Sequence, residues 1–506
     1  MGRLKPTLIL GGPGCGKTTA LLNIVEQAFS RGVEPDRIAF VAFTRKAAQE
    51  ARERMVEKFG IEADMIPYFR TLHSFAFSQL DIERSQILDD LKMRDYAKAE
   101  GLDLSEEFID EFGQVVAQPH TEDEKALNAI SLARLTQRPL EDVVIEHGLD
   151  FDFVKRIRDD YEEFKADAML VDFTDMIERF ETEGNVPVFD LLIVDEAQDL
   201  SRLQWRMVDR LMENAKDVYF AGDDDQAIYA WAGADLDRFL TMDADREVLP
   251  VSYRLKSEVF HACQKVIHLC DARYPKDWKP HADGGEIDFV SNLEDLDLSQ
   301  GTWYLLARTN SLVRRYTKYL QESGYAYWSP TKHGMQSSVS VDPVQAVLIY
   351  ENLRMGKSFS GDRLKLVWSH IRPQLRPASA PLFETAGEYT LADLCSTGFD
   401  ASPSWLDALS ISGGMQAYIR AMRARGESLT KPPRITAATI HAVKGGEADN
   451  VVVDQKLTSR THSSWIACDP QEVRALFTAM SRAKQRLIFL ETSSRVNYGV
   501  ERILTC

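Results

Sequence analysis

Residues Gly11-Gly12-Pro13-Gly14-Cys15-Gly16-Lys17-Thr18-Thr19 carry the pattern G-x-x-x-x-G-K-T. Glycines at this spacing let backbone N–H groups converge on phosphate oxygens, with a helix N-terminus behind them. Lys17 offers a point charge to the outer phosphates, and the Thr18 hydroxyl can join a Mg²⁺ shell. The flanks agree. Thr7-Leu8-Ile9-Leu10 precedes the loop as a short apolar strand, and Ala20 to Val25 follows with helical spacing. Strand, glycine turn and helix form the context that a phosphate-binding loop requires. Gly12 through Thr19 are therefore the first candidate contacts for a nucleoside triphosphate.

A second set of reactive side chains lies far downstream. Leu191-Leu192-Ile193-Val194 is an apolar run of strand length that ends in Asp195-Glu196. An Asp at such a strand end can hold Mg²⁺, and an adjacent Glu can orient and deprotonate water, so the pair points to hydrolysis. Val218 to Asp223 repeats the form, an apolar strand ending in a carboxylate. Ligands of doubly wound sheets gather at those carboxyl ends.

The elements that must position these groups alternate. Strands are expected at Arg37–Phe43, Trp303–Arg308, Ile435–Ile440, Asn450–Val453 and Arg486–Leu490, with helices at Lys46–Met55 and Arg474–Lys484. Thr44 is placed to cap the first of these helices. From about Asp81 to Lys165 the pattern is helical and acidic, which predicts an all-helical insertion. Residues 334–431 lose the alternation and predict a second one. His261, Cys263, His268 and Cys270 are spaced along a helical pattern without a C-x-x-C pair, so a half-buried helix is favoured over a zinc site.

The chain has 506 residues, 44% of them hydrophobic, and a net charge of −18. That length suits several domains. The charge argues against non-specific coating of nucleic acid and leaves room for a local binding groove. Six cysteines without regular pairing predict a reducing, cytoplasmic setting. No apolar stretch is long enough to span a bilayer, so no membrane contact is expected. The basic stretches Arg363–Arg376 and Arg420–Arg434 are the candidates for touching a duplex.

Further blocks then agree in order. Ala42-Phe43-Thr44-Arg45-Lys46-Ala47-Ala48, Thr71-Leu72-His73-Ser74-Phe75, Asp172-Phe173, Asp195-Glu196-Ala197-Gln198-Asp199 and Gly222-Asp223-Asp224-Asp225-Gln226-Ala227-Ile228-Tyr229 lie in the first half. Ser252-Tyr253-Arg254, Thr439 to Glu447 and Ala479 to Ala483 lie beyond it. Together they resemble the UvrD/Rep/PcrA type of superfamily 1 DNA helicases, over nearly the whole chain.

The resemblance implies an α/β fold of two RecA-like P-loop domains with parallel sheets, each carrying a mainly helical insertion. The expected boundaries are 1–83 with 166–250, insertion 84–165, then 251–335 with 431–506, and insertion 336–430. It implies ATP and Mg²⁺ as cofactors, bound in the cleft between the domains. Thr18 and Asp195 are expected on the metal, Glu196 as the base, and Lys17, Gln226, Arg254 and Arg482 at the γ-phosphate. Tyr253 resembles the residue that stacks on adenine, and Glu447 one beside the nucleotide. Phe43, Thr44, Thr71, His73, Tyr229, Trp231, Thr439 and His441 are expected on DNA. The implied activity is a monomeric, ATP-driven helicase moving 3′ to 5′ on single-stranded DNA and acting at single-strand/duplex junctions. The alternative is a translocase that displaces proteins without unwinding. Two departures from the family pattern are expected to matter. Only ten residues precede Gly11, where a glutamine that reads adenine usually lies, and Ala232 stands where an arginine is usual.

Overall fold

The computed structural model describes residues 5–105, 119, 121–331, 334–376, 383–396 and 398–505. The chain forms two compact units: Met1–Asp288 with Leu457–Leu487 and Val496–Cys506, and Phe289–Lys456 with Ile488–Arg495.

The first unit is built on a six-stranded sheet. Its strands are β1 (Thr7–Leu10), β2 (Ile38–Ala42), β3 (Phe69–Thr71), β4 (Phe189–Val194), β5 (Ala215–Gly222) and β6 (Asp245–Val248), in the order β3-β2-β4-β5-β1-β6. Every pairing is parallel. Both faces are buried, which is why the strands read as continuous apolar runs. Ile9, Phe40 and Ile193 pack on one side with Leu21, Leu22 and Val25 of α1 (Lys17–Ser30) and Ala51 and Met55 of α2 (Arg45–Phe59). Leu8, Val41 and Leu192 pack on the other with α3 (Leu72–Gln79).

Helices α4 (Asp90–Glu100), α5 (Glu122–Thr136), α6 (Leu140–Glu146) and α7 (Phe151–Asp167) follow and gather around a core of their own, including Met93, Tyr96, Ile130, Val144 and Ile157. Where described, this acidic stretch is mainly helical as expected; its residues 106–118 and 120 lie outside the described residues. Helix α8 (Phe173–Glu183), with Asp172 as its N-cap, returns the chain to the sheet, and α9 (Arg202–Glu213) and α10 (Leu236–Thr241) complete that face.

A short parallel pair, β7 (Val251–Lys256) and β8 (Lys279–Ala282), brackets α11 (Ser257–Ile267). This helix contains His261 and the buried Cys263, while His268 and Cys270 lie past its end. The five described cysteines are free. Among the described residues, no helix is long and apolar enough to cross a membrane.

A seven-stranded sheet lies mostly in the second unit, with residues 286–288 and 483–487 of its strands counted in the first. Its strands are β9 (Glu286–Val290), β10 (Trp303–Ala307), β11 (Tyr327–Thr331), β12 (Gly334–Ser337), β15 (Ile435–Thr439), β16 (Ala448–Asp454) and β17 (Ala483–Leu490), in the order β12-β11-β15-β10-β16-β17-β9. A small antiparallel ribbon pairs β13 (Phe359–Ser360) with β14 (Glu388–Tyr389). Among the described residues, five α-helices lie between β12 and β15, including Asp342–Arg354 and Gly413–Arg425. One apolar core joins them to the sheet: Trp303, Leu305 and Ile435 share it with Val347, Ile371 and Leu409.

One expectation needs correction. The last long helix spans Pro470–Met480 and not Arg474–Lys484, because Ala483 and Lys484 already belong to β17. Arg482 therefore sits in the turn between helix and strand. Several cations of the later basic stretches are exposed and also bond within the protein. Arg372 donates to the Leu406 carbonyl at 2.8 Å and Arg376 to the Ile371 carbonyl at 2.9 Å. Arg423 pairs with Glu351, and Arg425 lies 3.9 Å from the Tyr325 ring centroid.

Candidate functional site

The phosphate loop turns between β1 and α1 with Gly14 at φ 73° and Gly16 at φ 79°. Those left-handed values suit glycine. Close approach adds a second reason: a Cβ on Gly12 would lie 2.5 Å from the Trp278 ring, and one on Gly14 would run into the Arg254 side chain. Strand β7 is fastened to the loop by Tyr253 N–H donating to Gly14 O at 2.9 Å and Ser252 Oγ donating to Pro13 O at 2.6 Å. The loop is thus held by a segment some 240 residues away.

Lys17 Nζ donates to Gly11 O at 2.9 Å, folded back on its own loop. Thr18 Oγ1 donates to Asp195 Oδ2 at 3.0 Å, so the two expected metal-binding groups meet. Burial, with Glu196 beside it, pushes the Asp195 carboxyl up to about 7. A buried carboxylate and a hydroxyl are hard oxygen donors, and a divalent cation would supply the positive charge this carboxylate needs, so the pair fits Mg²⁺. Cys15 is buried in the loop, which raises its thiol to about 11 and leaves it a packing residue. Thr19 is exposed one position further on.

Glu196 has φ 55°, an unusual value for a side chain with a Cβ. Its Oε2 accepts from Gln198 Nε2 at 2.6 Å. Gln226 Nε2 donates to Asp223 Oδ2 at 2.6 Å, and the Gln226 Oε1 accepts from Arg482. Arg482 is buried, and its Nε donates to Thr478 O at 2.9 Å. Arg254 is half-buried and reaches Ser481 O at 3.4 Å. Tyr253 is 71% exposed, and its ring centroid is 6.3 Å from that of His281.

Lys276 and Arg273 escaped the sequence reading, as did the burial of the three aspartates they meet. Asp223, Asp224 and Asp225 are buried together. Lys276, whose side chain is fully buried, pairs with Asp223 at 3.0 Å, with Asp225 at 3.0 Å and with Asp224. Burial opposes its charge, and the three carboxylates outweigh that and hold its pKa raised. Arg273 adds two bonds to Asp225, at 2.9 and 2.7 Å. Three adjacent aspartates directly after an apolar strand were the available signal: buried there, they demand cations.

The candidate nucleic-acid residues divide by unit. Phe43 and Tyr229 stack with centroids 5.5 Å apart, and Trp231 lies 6.3 Å from Tyr229 and is half-buried. Thr44 Oγ1 caps α2 and Thr71 Oγ1 caps α3, so both hydroxyls also hold helix ends. His73 rests edge-on against Phe173 at 5.2 Å. Burial, with Arg45 nearby, lowers its imidazole to about 4, so it is neutral at physiological pH. In the second unit, Thr439 ends β15, His441 lies in the turn after it, and Glu447 is exposed just before β16.

A doubly wound parallel sheet, a glycine phosphate loop after β1 and an acidic pair at the end of β4, across β5 from it, define the P-loop class. Residues 3–247 match the model described as the UvrD/REP helicase N-terminal domain, and residues 434–490 the UvrD-like helicase C-terminal domain. The chain belongs to the UvrD/Rep helicase family, with the two RecA-like domains of that family. It is 30% identical over 305 residues to the ATP-dependent DNA helicase PcrA of Bacillus subtilis, covering 56% of this chain and 40% of that protein. It is 28% identical over 324 residues to PcrA of Staphylococcus epidermidis, covering 58% and 42%. The match thus spans about two fifths of the length of these relatives. The crystal structure of Arterivirus nonstructural protein 10 (helicase) aligns with a TM-score of 0.35 at 10% identity, over 99% of this chain and 62% of that one.

Proposed function

We propose that this chain is an ATP-driven DNA motor that moves 3′ to 5′ on single-stranded DNA and unwinds duplex at junctions. The observation that carries the reading is the meeting of Thr18 with Asp195, beside Glu196 and the Gln226–Arg482 pair. The relatives, named as ATP-dependent DNA helicases, support it.

In this reading Lys17 leaves the Gly11 carbonyl for the outer phosphates. Thr18 and Asp195 hold Mg²⁺, which when bound offsets phosphate charge. Glu196 accepts a proton from the attacking water at a carboxylate oxygen. Arg254 and Arg482 carry fixed charge to the γ-phosphate, with Gln226 as the sensor between strand end and arginine. Tyr253 stacks on the base, and Glu447 lies by the nucleotide when the domains close. Phe43, Tyr229 and Trp231 stack on DNA bases, with Thr44, Thr71, His73, Thr439 and His441 along the strand. The four-part layout, with insertions at 84–165 and 336–430, completes the motor, which works as a monomer in the cytoplasm.

The test is hydrolysis of ATP with and without single-stranded DNA, followed by strand separation on 3′-tailed and 5′-tailed duplexes. DNA-stimulated hydrolysis with unwinding only from the 3′ tail is expected. Stimulation without strand separation on either substrate would replace the helicase by a protein-displacing translocase.

A further inference from the structure

The base and the aromatic loop belong to one hydrogen-bonded path, and Gln198 is its middle. The Gln198 side chain is fully buried. Its Nε2 donates to Glu196 Oε2 at 2.6 Å and to Asp199 Oδ2 at 2.9 Å. Its Oε1 accepts from the Asp223 backbone N–H at 3.0 Å. Both ends of the amide are thus used, and its orientation is fixed. Gly222 makes room for it, since a Cβ there would lie 2.5 Å from Gln198 Oε1.

Asp223 opens the segment that carries everything else. Its carboxylate takes Gln226 Nε2 and is anchored by Lys276. Three residues beyond Gln226 stands Tyr229, stacked on Phe43, and then Trp231. Gly233 ends the segment so close to α5 that a Cβ would lie 3.2 Å from Leu135 Cβ. A shift of residues 223–231 must therefore move Asp223 N–H, and with it the amide that holds Glu196.

We infer that Gln198 is a positioning residue that makes the orientation of the Glu196 carboxylate follow the aromatic loop, so that occupancy of the loop by a single strand sets the competence of the base. This rests on the proposed reading, in which Glu196 is the base and the loop binds DNA. A bond from a neutral amide to a carboxylate is strong enough for its loss to cost about tenfold in a rate.

The experiment compares steady-state ATP hydrolysis with and without oligo-dT for wild type, Gln198→Met and Gln198→Asn. The asparagine variant keeps an amide in the buried site and loses the reach. The informative quantity is the stimulation ratio. A merely structural defect scales both rates by the same active fraction and leaves the ratio unchanged. We expect the ratio to fall about tenfold in both variants. An unchanged ratio in the asparagine variant overturns the inference. A wild type that hydrolyses ATP without any response to oligo-dT instead overturns the underlying reading, so the two failures are distinct.

Discussion

The two helix-rich stretches expected as insertions are attached in different ways. The first, α4 to α7, has its own apolar core and meets the sheet domain chiefly through a cluster of charges, with Leu135 of α5 adding an apolar contact. Arg134 on α5 bonds Asp172 at 2.8 Å, Asp175 at 2.5 Å and Glu178 at 2.6 Å, and Lys165 on α7 bonds Asp172 and Asp175 at 2.9 Å. The helices of the second share one continuous core with their sheet. A charged fastening is directional and can separate two cores that each remain folded. A shared core cannot be opened without exposing apolar surface on both sides. The first insertion is also the one whose α5 lies against the aromatic loop, at Gly233.

The largest effect is expected from Arg134→Met. It leaves Asp172 buried with part of its countercharge gone, a defect worth about 3–5 kcal/mol. Hydrogen exchange should show α4–α7 loosening while the second unit keeps its protection. Because Leu135 adjoins the loop, single-strand affinity should fall as well. Unaltered exchange in α5 would break the contrast.

In the second unit, Ile371→Ala opens a cavity in the shared core and should cost about 2–5 kcal/mol. Here sheet and helices should lose protection together. Selective loosening of the helices alone would show two cores where one is described.

Acid gives a milder break. The folded-state pKa of His73, about 4, lies below the 6.5 of an ordinary imidazole. The unfolded chain therefore takes up more protons between those values. Stability is full above pH 6.5 and declines as pH falls toward 4, by at most about 3 kcal/mol. His73 packs on Phe173, next to Asp172, so thermal melts should show this loss, and His73→Phe should flatten the profile in that window. Asp172, held low by Arg134 and Lys165 against its burial, keeps its pairs to still lower pH.

The smallest effect is Trp231→Ala, about 1–3 kcal/mol of single-strand affinity by titration if one base stacks on the ring. Ile371→Ala should leave that affinity unchanged, and a loss there would undo the distinction between the insertions.

What the sequence made legible was local. The phosphate loop, its flanking strand and helix, and the carboxylates at two strand ends follow from spacing within a few residues of each other. Helix capping was legible for the same reason at Thr44. Groups supplied from a distance were not. Lys276, Arg273 and Trp278 come from a short irregular stretch after α11 with no periodicity, and only folding shows that they reach Asp223–Asp225 and Gly12. Gln198 was visible as part of an ordered block, but its two-ended bond depends on the approach of β5 to β4. In the basic stretches, the bonds of Arg372, Arg376 and Arg423 to groups of their own unit were likewise invisible in the spacing.

The central claim is that Glu196 is the base of a nucleotide-hydrolysing motor. Glu196→Gln tests it most directly, with nucleotide affinity and DNA-stimulated ATP hydrolysis measured on the same preparation. Affinity should stay within a few-fold of wild type, while stimulated hydrolysis falls by about 10²–10⁴-fold. Hydrolysis near the wild-type rate would contradict the account.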